Sequence, residues 1–162
     1  MRIFNTLTAE LEAHPDEPRG FRIAMNRFGP SIGARRMGAT VYELAPGSAI
    51  CPYHYESEEE WLLVLEGEIT LRHPEGEDTL RAGDITAFPV GPEGAHKTTN
   101  HGSEPARVVM FSTRDPVGYC VYPDSNKISF WSDSSDPADK VLVRRGENLD
   151  YYDGELGADD PA

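Results

Sequence analysis

The sequence predicts an all-β protein whose strands close into a sandwich or barrel. Three observations carry this prediction. Between about Gly38 and Thr113 the chain consists of short apolar or alternating runs, Gly and Pro punctuate nearly every junction, and helical periodicity is almost absent. Exposed sheet edges invite aggregation, and closing or doubling the sheet is how an antiparallel protein hides them. At 162 residues the chain has the length of one domain with a real core.

Taken in order, the amino terminus offers one short helix, Asn5 to Ala13, with Thr6 or Thr8 as cap. Residues 1–37 then read as an arm packed on the barrel. The strand runs are Thr40 to Leu44, Trp61 to Leu65, Glu68 to Arg72, Asp78 to Arg81, Ile85 to Pro89, His96 to Asn100 and Arg107 to Thr113. Turn sequences such as Ala45-Pro46-Gly47, Glu66-Gly67, Ala82-Gly83-Asp84 and Gly91-Pro92-Glu93-Gly94 separate them. Residues 38–114 thus form the barrel core. Residues 115–162 form an acidic, loop-rich extension of the same domain, in which Val141 to Arg144 can add a strand and Tyr151 and Tyr152 can pack the tail onto the barrel or a second subunit.

Charge narrows the partners. The 28 acidic and 15 basic residues give a formal charge of −13, which repels phosphate backbones and anionic lipid surfaces, so neither nucleic acid nor membrane is an expected partner. From Asp133 to Ala162 nine acidic residues face three basic ones, the mark of a solvated surface or tail. No segment has the roughly 20 apolar residues that span a bilayer, and Met1 to Gly20 lacks a signal-peptide core, so the expected location is cytoplasmic. Cys51 and Cys120 are read as reduced thiols.

Two clusters carry the chemistry. In the first, His54 and Glu56 are two residues apart and so share one face of a strand, while Glu60 stands at the mouth of the strand Trp61 to Leu65, which hairpin pairing returns beside His54. In the second, GDITAFPVGPEGAHKTTN, a strand, a Pro- and Gly-containing loop and another strand deliver His96. Two imidazoles and two carboxylates then converge. That nitrogen and oxygen set suits one divalent ion (Zn, Mn, Fe, Co or Ni) and disfavours Cu(I).

These two clusters resemble the paired motifs of the cupin superfamily, written G-x5-H-x-H-x3,4-E-x6-G and G-x5-P-x-G-x2-H-x3-N. Glu60 to Gly67 matches the end of the first, and Gly83, Pro89, Gly91, His96 and Asn100 match the second. One extra residue separates Gly47 from His54, two more lie within Pro92 to Ala95, and Glu56 stands where the motif has its second histidine. Glu56 makes the site more anionic, so it should hold a divalent ion more tightly and act as a weaker Lewis acid. The resemblance spans about Thr40 to Thr113 and implies a double-stranded β-helix, the jelly-roll barrel, with metal held by His54, Glu56, Glu60 and His96. It also implies a homodimer built on paired edge strands and a small-molecule ligand of sugar or carboxylate type.

Other residues are assigned plainer roles. Glu58 and Glu59 read as a solvated acidic turn, and His14, His73 and His101 as surface residues. Tyr53, Tyr55, Trp61, Leu63 and Leu65 belong to an outer face or subunit contact. Tyr42, Leu62, Val64 and Thr98 are candidates to line the pocket, and Asn100 to fix a turn. Three functions remain open at this point: a metal-dependent isomerase, decarboxylase or dioxygenase; a non-catalytic binding or sensor module; and a metal-free structural barrel.

Overall fold

The computed structural model describes residues 1–13, 15–146, 148–151 and 153; His14 and Tyr152 lie outside them. The arm contributes β1 (Glu12–Ala13), β2 (Ile23–Asn26) and the helix α1 (Gly29–Ile32). The barrel follows with β3 (Met37–Leu44), β4 (Tyr55–Glu56), β5 (Glu60–Glu66), β6 (Glu68–His73), β7 (Gly76–Arg81), β8 (Ile85–Phe88), β9 (Lys97–Thr99) and β10 (Ala106–Thr113). Then come β11 (Val117–Tyr122), β12 (Lys127–Ser132) and β13 (Val141–Arg144).

Strand pairing is antiparallel. One sheet of six strands runs β1-β2-β3-β10-β5-β8, a second of four runs β13-β12-β11-β4, and a third of three runs β7-β6-β9. This is the jelly-roll arrangement expected of the sequence. Strand β10 sits between β3 and β5 with both edges paired. Its period of two sends Ala106, Val108 and Met110 into the barrel beside Leu44, Leu62, Val64, Ile69, Leu71, Leu80 and Phe88. Val109 points the other way, onto Phe28, Ala39 and Val41, where Phe4, Leu11, Leu65 and Phe111 complete a second cluster. The outer face of the large sheet is therefore covered by the arm, and Phe4 stacks on Phe28 with ring centroids 4.5 Å apart. Arg107 pins the arm by donating to the carbonyls of Leu7 and Ala9.

Three local readings are corrected. The short helix of the arm lies at Gly29–Ile32, not at Asn5–Ala13. The Asn5 side chain accepts the amides of Leu7 and Thr8, closing a single turn, and the chain then extends as β1 to pair with β2. Within the extension, residues 117–132 form a β11–β12 hairpin, closed by a turn with Asn126 in the left-handed region (φ 50°). Glu58 is not a solvated turn residue: it is 6% exposed, and its carboxylate accepts the Thr113 hydroxyl and, at 2.7 Å, the Asp115 amide. Long-range contact with the end of β10 takes that side chain inward.

The turn at Gly67 joins β5 to β6 with φ at 76°, and a Cβ there would lie 2.8 Å from the Pro105 carbonyl oxygen. Only glycine supplies both the backbone angle and the space. Among the described residues no helix is long and apolar enough to cross a membrane.

Candidate metal centre

Backbone pairing brings the two motif histidines face to face. The segment leading into β4 runs antiparallel beside β9 and the residue before it, and His54 and His96 exchange both backbone hydrogen bonds, at 3.1 and 2.8 Å. Directly opposed residues carry side chains on the same face. Their imidazoles accordingly lie side by side, with centroids 4.6 Å apart. Glu60 opens β5 and pairs in register with Phe88 of β8, whose ring stacks on His96 at 3.6 Å. The stack leaves the His96 ring little freedom to turn.

Each ring is also fixed by its inner nitrogen. His96 Nδ1 lies 2.9 Å from the Gly94 carbonyl, and His54 Nδ1 lies 3.0 Å from that of Pro52. With Nδ1–H donated to a carbonyl, the unprotonated lone pair sits on Nε2, the form in which imidazole ligates metal. Both Nε2 atoms face the same carboxylate oxygen: Glu60 Oε2 is 3.4 Å from His96 Nε2 and 3.8 Å from His54 Nε2. His96 is 1% and His54 7% exposed, so this happens away from solvent.

Electrostatics favour a cation at the point where they meet. Burial, then the charge of Glu56 and a hydrogen bond between the two carboxyls, pushes Glu60 up to about 9. Burial and the neighbouring His54 push His96 down to about 3, and burial lowers His54 as well. Neutral imidazoles and a carboxylate denied its charge are the signature of ligands whose counter-charge is missing. Among the described residues, Glu60 Oε2 and His96 Nε2 are buried without a hydrogen-bond partner. Buried polar atoms seldom go unpaired, and a divalent ion would satisfy both. The ligand atoms of His54, Glu60 and His96 all lie within 4.8 Å of one another, so the residues fit the ion.

Glu56 joins the site from the side. It follows His54 by two residues, and its carboxyl meets those of Glu60 and, with His54, a sulfur the sequence reading passed over: Cys120. Cys120 stands opposite Glu56 in the β4–β11 register. Nothing local marked it, because β4 and β11 are separated by more than half the barrel sequence. Of the other predicted pocket residues, Tyr42 lines a cavity of about 610 Å³ that opens over His54 and Glu60. Leu62 and Val64 are packed in the barrel core, and Thr98 is buried at 1% exposure on β9. The arm supplies a wall that the sequence did not suggest: Phe21, Ile23, Met25 and Arg27 face this cavity. His73 is partly buried at the end of β6, with Nε2 3.1 Å from the Asp78 carboxylate.

Residues 40–112 match the family model described as Cupin domain. The matched residues, a cupin domain, span the barrel from β3 to β10. Its fold is similar to that of a cupin-superfamily sugar phosphate isomerase from Silicibacter pomeroyi, with a TM-score of 0.74 at 24% identity over 92% of this chain and 97% of that one. A putative sugar phosphate isomerase from Acidithiobacillus ferrooxidans gives the same TM-score and identity over 88% and 92%. A polyketide cyclase from Streptomyces resistomycificus follows at 0.59 and 20% over 71% and 80%. At these identities the likeness establishes the fold. Curated proteins provide no match to the sequence.

Proposed function

We propose that this cupin holds one divalent metal ion through His54, Glu56, Glu60 and His96 and interconverts isomers of a small phosphorylated sugar. The carrying observation is the pair of imidazoles whose Nδ1 atoms are tied to backbone carbonyls while both Nε2 atoms face the buried Glu60 Oε2 at 3.4 and 3.8 Å. The substrate class is supported by the two sugar phosphate isomerase folds that this chain matches along nearly its whole length.

A bound divalent ion supplies Lewis-acid polarisation of a substrate oxygen. The protein's own residues do the rest. Ile23, Met25 and Met110 make the cavity wall apolar and limit water around the reacting carbons. The Tyr42 phenol, pushed up to about 12 by burial, stays protonated and can donate a hydrogen bond to a sugar oxygen. Arg27 places a guanidinium on the same wall, the group best shaped to take a phosphate in two parallel hydrogen bonds.

Metal content by elemental mass spectrometry on untagged protein, beside His96→Ala and Glu60→Ala, tests the centre. NMR of a panel of aldose and ketose phosphates tests turnover. Near-stoichiometric metal in the wild type, with manganese lost in both variants and interconversion by the wild type, is expected. Failure to take up Zn, Mn, Fe, Co or Ni removes the metal reading; bound metal without interconversion of any sugar phosphate removes the isomerase reading. Arg27→Ala should raise KM for the phosphorylated substrate by about 10- to 100-fold, the worth of a charged hydrogen bond. It should leave kcat nearly unchanged.

A homodimer forms part of the same reading. The edge strands β8 and β13 expose Ile85, Val141, Leu142 and Val143, and among the described residues no further strand pairs with either, so a second copy would cover them. Light scattering at micromolar concentration should give twice the chain mass, and a monomer mass refutes it.

A further inference from the structure

The donors around His54 form two sets. One is His54, Glu60 and His96, two nitrogens and an oxygen; the other is His54, Glu56 and Cys120, a nitrogen, an oxygen and a sulfur. In each set the ligand atoms all lie within 4.8 Å of one another. The second set is a product of strand register. His54 and Glu56 are two residues apart on one face, and β4 pairs with β11 so that Cys120 falls opposite Glu56. Cys120 is 4% exposed, so water does not compete for its sulfur.

His54 is common to both sets and has one nitrogen to give. Its Nδ1 is engaged at 3.0 Å with the Pro52 carbonyl, and Cys51 Sγ lies 3.3 Å from that same nitrogen, on the side away from Nε2. One lone pair on Nε2 serves one ion. The two sets are therefore alternative positions for a single ion and do not make a two-metal centre. Their chemistry differs in one respect: sulfur. Thiolate favours zinc and cobalt(II), whereas manganese(II) prefers oxygen and nitrogen donors.

We propose that Cys120 is a ligand of this centre, so that thiolate-preferring ions sit between His54, Glu56 and Cys120 while harder ions sit between His54, Glu60 and His96 with the Glu56 carboxyl beside them. This rests on the metal reading above and adds to it what selects the ion. Coordination breaks the Cys120 S–H bond, forms a sulfur–metal bond and releases the proton to solvent, with no change of oxidation state. The site then discriminates zinc from manganese through one side chain that lies outside both sequence motifs.

Cobalt(II) reports sulfur ligation directly, through a thiolate-to-cobalt charge-transfer band in the near ultraviolet. Cobalt stoichiometry and this band are measured on the wild type, Cys120→Ser, Cys120→Ala and Cys51→Ser. The band is expected in the wild type and in Cys51→Ser and is expected to vanish in both Cys120 variants, which still bind cobalt through the nitrogen and oxygen set. Zinc affinity should fall by about 10-fold or more in Cys120→Ser, while manganese affinity stays at the wild-type value. X-ray absorption of the zinc-loaded wild type needs no variant and should show a sulfur neighbour at about 2.3 Å. Stoichiometric cobalt without the band, or zinc without a sulfur neighbour, overturns this proposal and leaves the metal centre standing. A band that survives loss of Cys120 and disappears with Cys51 overturns it in favour of the other thiol. No uptake of cobalt or zinc overturns both readings together.

Discussion

Asn100 closes the barrel end through three hydrogen bonds, and removing them has a calculable cost. Its Nδ2 donates to the carbonyls of Leu44 at 2.8 Å and Glu104 at 2.9 Å, and its Oδ1 accepts the Gly102 amide at 2.8 Å. The residue is fully buried, and its backbone is bonded to Gly47 and Ser48 as well. Asn100→Ala takes one hydrogen bond from each of two carbonyls and one amide. The Leu44 carbonyl is beyond the reach of water, so its loss is not made good by solvent and costs about 1–3 kcal/mol; the two partly buried partners recover some of theirs from solvent. A total of about 3 kcal/mol follows, which at this chain length lowers Tm by about 6–12 °C. Urea denaturation should show a lower midpoint with an unchanged slope, because the surface exposed on unfolding is the same. Asn100→Asp sharpens the test. Its carboxylate still accepts from Gly102 but turns a charge toward two carbonyl oxygens, so it should be at least as destabilising near neutral pH and recover on acidification, when a proton lets it donate. An Asn100→Ala midpoint matching the wild type, or an Asn100→Asp variant as stable as the wild type near neutral pH, would refute the account.

Neighbouring carboxylates should behave unequally: Glu58→Ala exposes the buried bonds to Thr113 and Asp115 and should cost about 1–3 kcal/mol in denaturation. Glu59→Ala, on an exposed residue, should stay within about 0.5 kcal/mol of wild type, and equal effects would contradict the burial of Glu58. A Cβ at Gly94 would stand 1.8 Å from the Pro89 oxygen, in the loop whose carbonyl holds His96 Nδ1. Gly94→Ala should therefore lower both Tm and retained metal, and wild-type values of both would show that the loop yields. Chelator-treated protein should lose stability as pH rises. The folded Glu60, near 9, keeps a proton that the unfolded chain releases near its ordinary value, so unfolding sheds a proton and stability falls by up to about 1.4 kcal/mol per pH unit across that window. His54 and His96, lowered by burial, act in the opposite direction only below their ordinary value. Urea midpoints between about pH 7 and 7.5, below the ordinary range of the two buried thiols, thus report chiefly Glu60, and Glu60→Gln should flatten the slope; equal slopes would remove Glu60 as its source.

Much of the fold was legible because its signals are local. Alternation in Trp61 to Leu65 and Arg107 to Thr113, with Gly and Pro between runs, announces strands and turns whatever lies elsewhere. Spacing likewise marked His54, Glu60 and His96, which the structure brings together, and Asn100, whose side chain does fix its turn. The hairpin at 117–132 was missed since Pro and Asp at its flanks masked two alternating runs, Val117 to Tyr122 and Lys127 to Ser132.

What the sequence by itself determined is which residues are extended, where they turn and which side chains share a face, since those follow from the period of two and from backbone sterics within a few residues. Only the tertiary structure decided who stands opposite whom. Cys120 meets Glu56, Glu58 turns inward while Glu59 faces water, and the arm becomes a wall of the cavity through register and packing between segments far apart in the chain. Pairing of that kind is settled by the burial of a shared core and the closure of long loops, and no local pattern of residues encodes either.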